Sequence, residues 1–137
     1  MEILEFAVES QRYGVPIANV TEILHAVAIA PLPAAPTIIE GIIDVRGRIV
    51  PVLDVRARFR HPPRTLHPSE HFILVRAGER EVALRVDQAF DITTVPAGDI
   101  EPLEPALSRM PLVAGVARTS AGMVLIHGPS SFLAPGE

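Results

Sequence analysis

The sequence predicts an all-β protein made of many short strands, and three observations lead to that fold class. Fourteen prolines and nine glycines interrupt the 137 residues. Between them lie short runs of Val, Ile and Leu, which are typical of strands joined by tight turns and not of long helices. A strand–turn–strand pattern also recurs in the second half of the chain. The length itself fits about one domain.

Turn residues on either side of each apolar run locate the individual elements. We predict strands near Glu2–Val8, Arg12–Ile17, Gly41–Val45, Arg48–Leu53, His71–Val75, Glu81–Val86, Ala89–Thr94, Leu112–Thr119 and Met123–His127. Short helices are expected at Val20–Leu24, Thr37–Glu40, Pro105–Arg109 and Ser130–Leu133. The segment Ala26–Pro36 is expected to be extended, because each proline disfavours the α region for the residue before it.

Apolar positions along these strands are expected to fill the core. They are Val8, Val15, Ile17, Ile43, Val45, Val50, Val52, Val75, Val82, Leu84, Val86, Val116, Val124 and Ile126.

The internal repeat predicts how the domain is organised. Phe6–Ile17 aligns with Ile73–Leu84, and Gly41–Val52 aligns with Gly115–Ile126, each time as strand, polar turn and strand. One such unit alone is marginally stable, so two units are expected to share a core and to form one domain.

The repeat also sets the expected boundaries. We predict a first barrel in residues 1–65 and a second in residues 66–137, joined by the proline-rich connector Phe59–Pro68, with strands that can be exchanged between them. Closing short sheets into small barrels removes exposed strand edges. The groove between two such barrels is the expected partner site.

Composition excludes several classes of function. The chain has no cysteine, which excludes disulfides, thiolate nucleophiles and cysteine-based metal sites and fits a reducing cytoplasm. Its net charge of −4 argues against a nucleic-acid partner. The uncharged stretch from His25 to Ile39 is too short for a transmembrane helix and contains three prolines, so no membrane insertion is expected.

All twelve basic residues are arginine, and half of them lie close together in the sequence: Arg46, Arg48, Arg56, Arg58, Arg60 and Arg64. Arginine's planar guanidinium suits recognition of carboxylates and tolerates desolvation better than lysine. The simpler interpretation is a solvated face, and we favour it for most of the six.

The segment Gly41–Arg56 carries the most information about function. It predicts a β-hairpin with Arg46-Gly47 at the turn, where glycine supplies the positive φ of a tight turn. Pro51 has no N–H to donate, so the second strand is expected to be an edge or to be bulged there. Arg46 would be displayed at the tip of a rigid scaffold, where recognition residues are often placed.

This segment resembles the signature of CheW-like domains: a glycine, two apolar residues, an Asn-Leu-Arg-Gly-type turn, and a strand that runs into Pro-Val-Ile-Asp-Leu-Arg. The matching residues are Gly41, Arg46, Gly47, Ile49, Val50, Pro51, Val52, Asp54 and Arg56. Tyr13–Ile17, Val20–Ile23 and Ala30–Pro33 are similar to the family's segments upstream, and Val82–Asp87 is similar to its Val-Gly-Leu-Leu-Val-Asp. The resemblance covers nearly the whole chain in the same order.

The resemblance implies a single CheW-like domain over residues 1–137, with two intertwined five-stranded SH3-like β-barrels and a few short helices. It implies a non-catalytic adaptor without a cofactor, which couples the cytoplasmic tips of chemoreceptors to the regulatory domain of a CheA-type histidine kinase. Such a protein is cytoplasmic and is recruited to receptor arrays at the inner face of the membrane. The partner-binding residues carried over from the family are Arg46, Gly47, Gly41, Val20, Glu22, Val86 and Asp87; the last two are expected to shape the groove and the second barrel.

Three departures from the family pattern indicate a divergent member. Asp44 stands where asparagine is common, and its carboxylate is expected to pull the Arg46 side chain inward. Arg85 replaces an apolar residue, and the last strand ends in His127 where apolar residues and an aspartate are usual.

Two alternatives remain from the sequence. One is a CheW-like regulatory module of a larger kinase or of a receiver fusion, although a start at Met1 directly before the first strand favours a standalone protein. The other is a small metal-dependent β-barrel enzyme that uses His67, Glu70 and His71, although Pro68 disfavours the helix such a ligand pair needs. Standard motifs for nucleophilic or nucleotide-dependent catalysis are absent from the sequence.

A third possibility, an acid/base dyad of Asp44 and Asp54, has the wrong surroundings. Flanking arginines favour the ionised form of both carboxyls, whereas acid/base catalysis requires two different pKa values. We therefore interpret the two aspartates as part of the electrostatics of the hairpin.

Overall fold

A computed structural model describes residues 1–35, 38–101, 115–120 and 122–128. Strands dominate these residues, which confirms the predicted all-β class. The strands are β1 Glu2–Val8, β2 Gln11–Pro16, β3 Val20–His25, β4 Ile39–Val45, β5 Arg48–Leu53, β6 His71–Ala77, β7 Arg80–Val86, β8 Gln88–Thr94, β9 Ile100–Glu101, β10 Gly115–Thr119 and β11 Gly122–Ile126. One α-helical turn, α1, spans Val55–Arg58, and 3-10 turns span Ile17–Asn19 and Ala97–Asp99.

The strands form two sheets, and each sheet takes strands from both halves of the chain. The first has six strands, one more than predicted, in the order β8-β1-β2-β11-β10-β9, and the second has five in the order β3-β6-β7-β5-β4. Neighbouring strands are antiparallel except for two parallel pairs, β2 with β11 and β5 with β7. Each parallel pair joins a hairpin from early in the chain to a hairpin from later, so the sheets are intertwined.

Apolar side chains fill three layers, because the central strands are covered on both faces. Phe72 and Leu74 of β6 point into the second sheet's own core, whereas Ile73 and Val75 point into a layer between the two sheets. In β1, Ile3 packs inside the first sheet, whereas Leu4, Phe6 and Val8 point into the layer between the two sheets, which we call the shared layer. The shared layer has the most buried members: Leu4, Phe6, Val8, Tyr13, Val15, Leu53, Val55, Ile73, Val75, Val82, Leu84 and Val86. The predicted core residues are buried except Ile17 and Val116, which are half-buried.

Two of the predicted helices are wrong where the structure describes them. The segment Val20–Leu24 is strand β3, because its backbone pairs with β6. The helix predicted at Thr37–Glu40 is replaced by the start of β4 at Ile39, which pairs with the end of β5. The predicted helices Pro105–Arg109 and Ser130–Leu133, Thr37 itself, and residues 112–114 of a predicted strand lie outside the described residues.

The sequence analysis did not predict α1, although its signal was present. Asp54 precedes the helix, and its Oδ1 accepts a hydrogen bond from the backbone N–H of Ala57 at 3.1 Å. An acidic N-cap of this kind is a recognised start signal for a helix. Pro51 was expected at an edge or a bulge; β5 is an inner strand, but its pairing with β7 begins only at Val52, so the missing N–H is not needed at Pro51.

A chain of ion pairs links the segments around the second sheet. It runs through seven residues, each bound to the next: Glu9, Arg56, Asp87, Arg64, Glu70, Arg85 and Glu40. Arg56 has only 3% of its surface exposed, so the solvated-face interpretation is wrong for this arginine. These ion pairs connect the β1–β2 turn, α1, the connector and the junction between β7 and β8.

Arg85 is the best-buried arginine of this network apart from Arg56. Its Nε donates to Glu70 Oε1 at 2.6 Å, its Nη1 donates to Glu40 at 2.9 Å, and its Nη2 donates to the carbonyl of Arg64 at 2.7 Å. Burial alone would raise the pKa of Glu70, but hydrogen bonds from Arg85 and from the His67 N–H outweigh it and leave the pKa lowered. Burial raises the pKa of Glu40 despite the same arginine. The departure from the family pattern at Arg85 is therefore compensated by two acidic residues.

The connector is held against the first sheet by aromatic contacts as well. The Tyr13 hydroxyl lies 2.7 Å from His61 Nε2, and its ring stacks on Phe59 with centroids 4.5 Å apart. His127, buried at the end of β11, packs on Phe59 at 4.6 Å. Burial raises the pKa of Tyr13 to about 12. These contacts explain how the fold accommodates His127, where the family usually has apolar residues and an aspartate.

Removing one member of the buried Arg85–Glu70 pair should be far more costly than removing both. Arg85→Met leaves a buried carboxylate without its main partner, so we expect the free energy of unfolding to fall by about 3–5 kcal/mol. Arg85→Met/Glu70→Met should recover much of this loss, as measured by chemical denaturation. Equal losses for the single and double variants would contradict the pairing.

Candidate functional site

The predicted Arg46-Gly47 turn exists and has unusual backbone geometry. Both residues have positive φ, +52° for Arg46 and +83° for Gly47, as a two-residue type I′ hairpin turn requires. Asp44 Oδ1 accepts a hydrogen bond from the Gly47 N–H at 2.7 Å and so fixes the turn. Glycine and asparagine are favoured in this region, so turn geometry does not explain an arginine at the first position.

The Arg46 side chain binds Glu22, another residue predicted to contact partners. Its Nη1 donates to Glu22 Oε2 at 2.9 Å, and its Nη2 donates to Oε1. The hydrogen bond from Arg46 lowers the pKa of Glu22. The two predicted residues therefore form one forked ion pair across two elements. The expectation that Asp44 pulls Arg46 inward is wrong: Asp44 holds the turn, and 65% of the Arg46 side chain is exposed.

This ion pair shows that the second sheet is strongly curled. Glu22 lies on β3, at one edge of the sheet, and Arg46 lies in the turn between β4 and β5, at the other. In a flat sheet three or four strand spacings would separate them by about 14–19 Å. The sheet must curl until its edges approach, as in a small barrel, and the ion pair bridges the two edges.

A second polar cluster lies beside the pair. Arg48 Nε donates to Glu81 Oε1 at 2.8 Å, and Thr21 Oγ1 donates to Glu81 Oε2 at 2.9 Å. The hydrogen bond from Arg48 lowers the pKa of Glu81. We call Thr21, Glu22, Arg46, Arg48 and Glu81 the hairpin surface. It presents fixed charges of both signs on a rigid turn, which suits recognition of a protein partner more than chemistry.

Val20 faces a different part of the molecule from Glu22. A bulge in the pairing with β6 lies between them, so Val20 packs at the layer between the sheets while Glu22 and Leu24 turn toward the inside of the second sheet. Bulges redirect side chains in this way at recognition sites. Val20 is half-buried and packs at the margin of the apolar layer between the sheets.

The rim of that layer carries exposed apolar residues. Ile23 pairs with Ile73, and Ile92 pairs with Leu4, so both isoleucines point toward the shared layer. They are 43% and 54% exposed, although their partners are almost fully buried. We call Val20, Ile23, Ala89 and Ile92 the inter-sheet groove. Exposed apolar residues that border a core are typical of protein contact sites.

Gly41 has a place inside the fold. It is buried, and a Cβ there would lie 2.2 Å from the carbonyl oxygen of Ala30. The glycine admits the bridge in which Ala30 and Ile42 exchange both backbone hydrogen bonds at 2.9 Å. It supports the hairpin from behind and does not reach the surface.

Val86 and Asp87 also lie inside the structure. Val86 belongs to the shared layer. Asp87 accepts hydrogen bonds from Arg56 at 2.7 Å, from Arg64 at 3.2 Å and from the Glu9 N–H at 2.7 Å. Val86 thus contributes to the layer between the sheets and Asp87 to the ion pairs beside it, and their role in shaping a partner groove stays a prediction.

The residues considered for metal binding are engaged in other contacts. Glu70 binds Arg85, His67 Nδ1 lies 2.7 Å from Ser69 Oγ, and His71 Nδ1 accepts from the Ala89 N–H. No group of three or more potential metal ligands occurs within residues 1–35, 38–101, 115–120 and 122–128. Asp44 and Asp54 both cap backbone N–H groups. In the same ranges, no helix is long and apolar enough to cross a membrane.

The sequence analysis missed Glu81, Ile23 and Ile92. Glu81 had a signal, since it lies one residue before the Val82–Asp87 segment that resembles the family. Ile23 had a similar signal, since it ends the Val20–Ile23 segment that resembles the family. Ile92 had none, because it looks like a core residue in a strand and only the sheet order leaves it exposed.

Comparison with known proteins identifies the family. The family model described as the CheW-like domain matches residues 2–134. A solved structure, that of the scaffolding protein TtCheW from Thermoanaerobacter tengcongensis, superposes with a TM-score of 0.84 at 31% sequence identity and covers 92% of this chain and 87% of that chain.

Curated relatives agree with this match. The chemotaxis protein CheW of Rhizobium meliloti (strain 1021) is 34% identical over 101 residues, which are 74% of this chain and 65% of that protein. Protein FrzA of Myxococcus xanthus is 31% identical over 101 residues, 74% of this chain and 63% of that protein. The chain spans 61–66% of the length of the first relatives it matches, slightly under two thirds.

Replacing Gly41 should damage the fold and not a contact surface. Gly41→Ala places a methyl group against the Ala30 carbonyl, so we expect a loss of about 3 kcal/mol or more in the free energy of unfolding. Gly98→Ala is the matched control, because its new methyl group would meet no atom of a non-adjacent residue within 4 Å and its effect should stay within about 0.5 kcal/mol. A Gly41→Ala variant as stable as the Gly98→Ala variant would contradict this assignment.

Proposed function

The chain belongs to the CheW-like domain family, and we propose that it is a non-catalytic adaptor that couples chemoreceptors to a CheA-type histidine kinase in chemotaxis signal transduction. Its relatives bear the names chemotaxis protein CheW and scaffolding protein. In this proposal it acts at receptor arrays on the inner face of the membrane and needs no cofactor.

One observation supports this proposal above the others: a charged side chain is displayed where structure alone gives little reason for it. Arg46 adopts a left-handed conformation that disfavours arginine, and its partner Glu22 is also accessible. Exposed ion pairs contribute little to stability. A pre-ordered arginine is well suited to contact a partner, because less conformational entropy is lost when it binds.

The adaptor would need two separate surfaces, and the molecule offers two of different chemistry. The hairpin surface is charged and rigid, and the inter-sheet groove has an apolar rim. An apolar rim between sheets suits a helical segment that presents an apolar face, and we assign this surface to the receptor tip. The hairpin surface then serves the regulatory domain of the kinase.

Coupling in this proposal is positional and not chemical. The exchanged hairpins hold the two surfaces in a fixed relation, so a bound receptor and a bound kinase are kept at high effective concentration. A change in receptor packing would bias the kinase between states through the rigid body of the adaptor.

Substitution of Arg46 should weaken binding without affecting folding. We expect Arg46→Ala and Arg46→Asp to lower the affinity for the kinase regulatory domain by about tenfold and to leave the affinity for the receptor tip intact, measured by titration with each partner. The thermal midpoint should be nearly unchanged, because the side chain is exposed. Arg46→Asn, which suits the left-handed turn, should bind as weakly as Arg46→Ala.

Arg118→Ala, which removes an exposed arginine of β10 far from the turn in sequence, is the matched control and should bind normally. If Arg46→Ala instead lowers the thermal midpoint strongly while both affinities are intact, Arg46 has a structural role and the hairpin surface is wrongly assigned.

The inter-sheet groove can be tested separately. Ile23→Asp and Ile92→Asp place a charge at the apolar rim, so each should reduce the affinity for the receptor tip by about tenfold or more and leave kinase binding intact. Met123→Asp changes a residue of β11 that is 61% exposed and lies outside the rim, and it should have no effect. Unchanged receptor binding by both rim variants would remove the groove from the proposal.

A further inference from the structure

Two histidines lie opposite each other where the two sheets meet. His25 of β3 is the direct partner of His71 of β6, and their ring centroids are 5.2 Å apart. His25 is exposed and His71 is half-buried. Neither residue belongs to the hairpin surface or to the segments that resemble the family signature, so the proposed function gives this pair no role.

His71 also links one sheet to the other. Its Nδ1 accepts a hydrogen bond from the backbone N–H of Ala89 at 3.1 Å. His71 opens β6 in the second sheet, and Ala89 lies at the start of β8 in the first. A ring nitrogen that accepts a hydrogen bond carries no proton, so His71 is neutral with its proton on Nε2.

We propose that the His71–Ala89 hydrogen bond is a proton-sensitive joint between the two sheets, which opens on mild acidification and weakens binding of the receptor at the inter-sheet groove. The second part of this inference rests on the proposed function. The joint itself rests only on the geometry of His71, His25 and Ala89.

The groups around His71 favour its neutral form. From β3 the ring meets His25, whose positive charge would repel an imidazolium. From β7 it meets Val86, which is apolar. The nearby acids have other partners: Glu70 is bound by Arg85, and Asp87 is bound by Arg56 and Arg64. Burial, and then the charge of His25, lower the pKa of His71.

The direction of the pH effect follows from this shift. The free chain takes up a proton at the ordinary histidine pKa of about 6.5, and the folded chain does so only at lower pH. The stabilisation is therefore complete above about pH 6.5 and is lost as the pH falls from there through the lowered pKa of His71. Protonated Nδ1 becomes a donor, so it opposes the Ala89 N–H whose hydrogen bond it previously accepted.

The position of the joint connects it to the groove. Ala89 and Ile92 of the inter-sheet groove lie on β8, and Ile23 of the same groove lies on β3, two residues from His25. Loss of the hydrogen bond releases the start of β8 from β6. The distance between β8 and the edge strand β3 is then no longer fixed by this hydrogen bond.

The same geometry argues against a metal ion between the histidines. A metal would need an unprotonated nitrogen on each ring facing the gap, but the contact with Ala89 leaves the proton on Nε2 of His71. Proton binding is the simpler event at this pair.

The test compares wild-type protein with His71→Asn from about pH 8 to about pH 5.5, a range that spans histidine titration. Asparagine Oδ1 occupies nearly the position of Nδ1, so it accepts from Ala89 without titrating. We expect hydrogen exchange of the Ala89 amide, corrected for the intrinsic pH dependence of exchange, to accelerate on acidification in the wild type. The expected change is up to about tenfold for each unit by which the His71 pKa is lowered. The corrected rate should stay flat in His71→Asn.

Receptor-tip affinity should fall over the same pH range in the wild type and stay flat in His71→Asn. His25→Gln, which removes the neighbouring charge, should move the transition to higher pH. Parallel exchange profiles in wild type and His71→Asn would overturn the joint. Absence of receptor binding at any pH would instead reject the proposed function, since amide exchange still reports on the joint.

If His71→Asn fails to fold, an NMR titration of the His71 ring in the wild type decides the matter. A pKa of His71 at or above the ordinary histidine value of about 6.5 would contradict the proposal. A lower pKa, with the Ala89 amide resonance shifting at the same pH, would support it.

Discussion

The apolar layer between the two sheets is the constraint on which both candidate surfaces depend. Leu4 and Phe6 from one sheet meet Ile73 and Leu84 from the other, and all four side chains are almost fully buried. In the parallel pairs β2–β11 and β5–β7, a strand from the first half of the chain pairs with one from the second half, so each half contributes strands to both sheets. Neither sheet can therefore shift without disturbing the other. Such a body suits an adaptor, whose task is to keep two partners in one geometry.

Ion pairs connect further segments around this apolar layer. The chain of ion pairs around Arg85 fixes the connector, and the forked pair between Arg46 and Glu22 lies where the curled edges of the second sheet approach each other. The first network contains the buried side chains of Arg56, Glu70 and Arg85, so its main effect is on stability and specificity of packing. The second is accessible, so its side chains remain available to a partner. The same kind of contact thus has different consequences according to its exposure.

The sequence predicted the fold class and the turn but not the contacts between distant elements. Proline and glycine spacing reveals short strands, and Gly47 marks the hairpin, because both are local effects. The pairing of Arg46 with Glu22 depends on how far the sheet curls, and no local pattern encodes that curl. The strand at Val20–Leu24 was predicted as a helix, because its pairing with β6 lies about fifty residues away in sequence. Arg85 stood out as unusual, but its partner Glu40 is 45 residues away.

The proposed function requires that one rigid domain bind a receptor and a kinase at the same time through different surfaces. Sedimentation of a mixture of this protein, a receptor-tip fragment and a kinase regulatory domain tests it most directly. We expect a complex that contains all three components and is heavier than either binary complex. Mutual displacement of the receptor fragment and the kinase domain would contradict it, because both would then occupy a single surface.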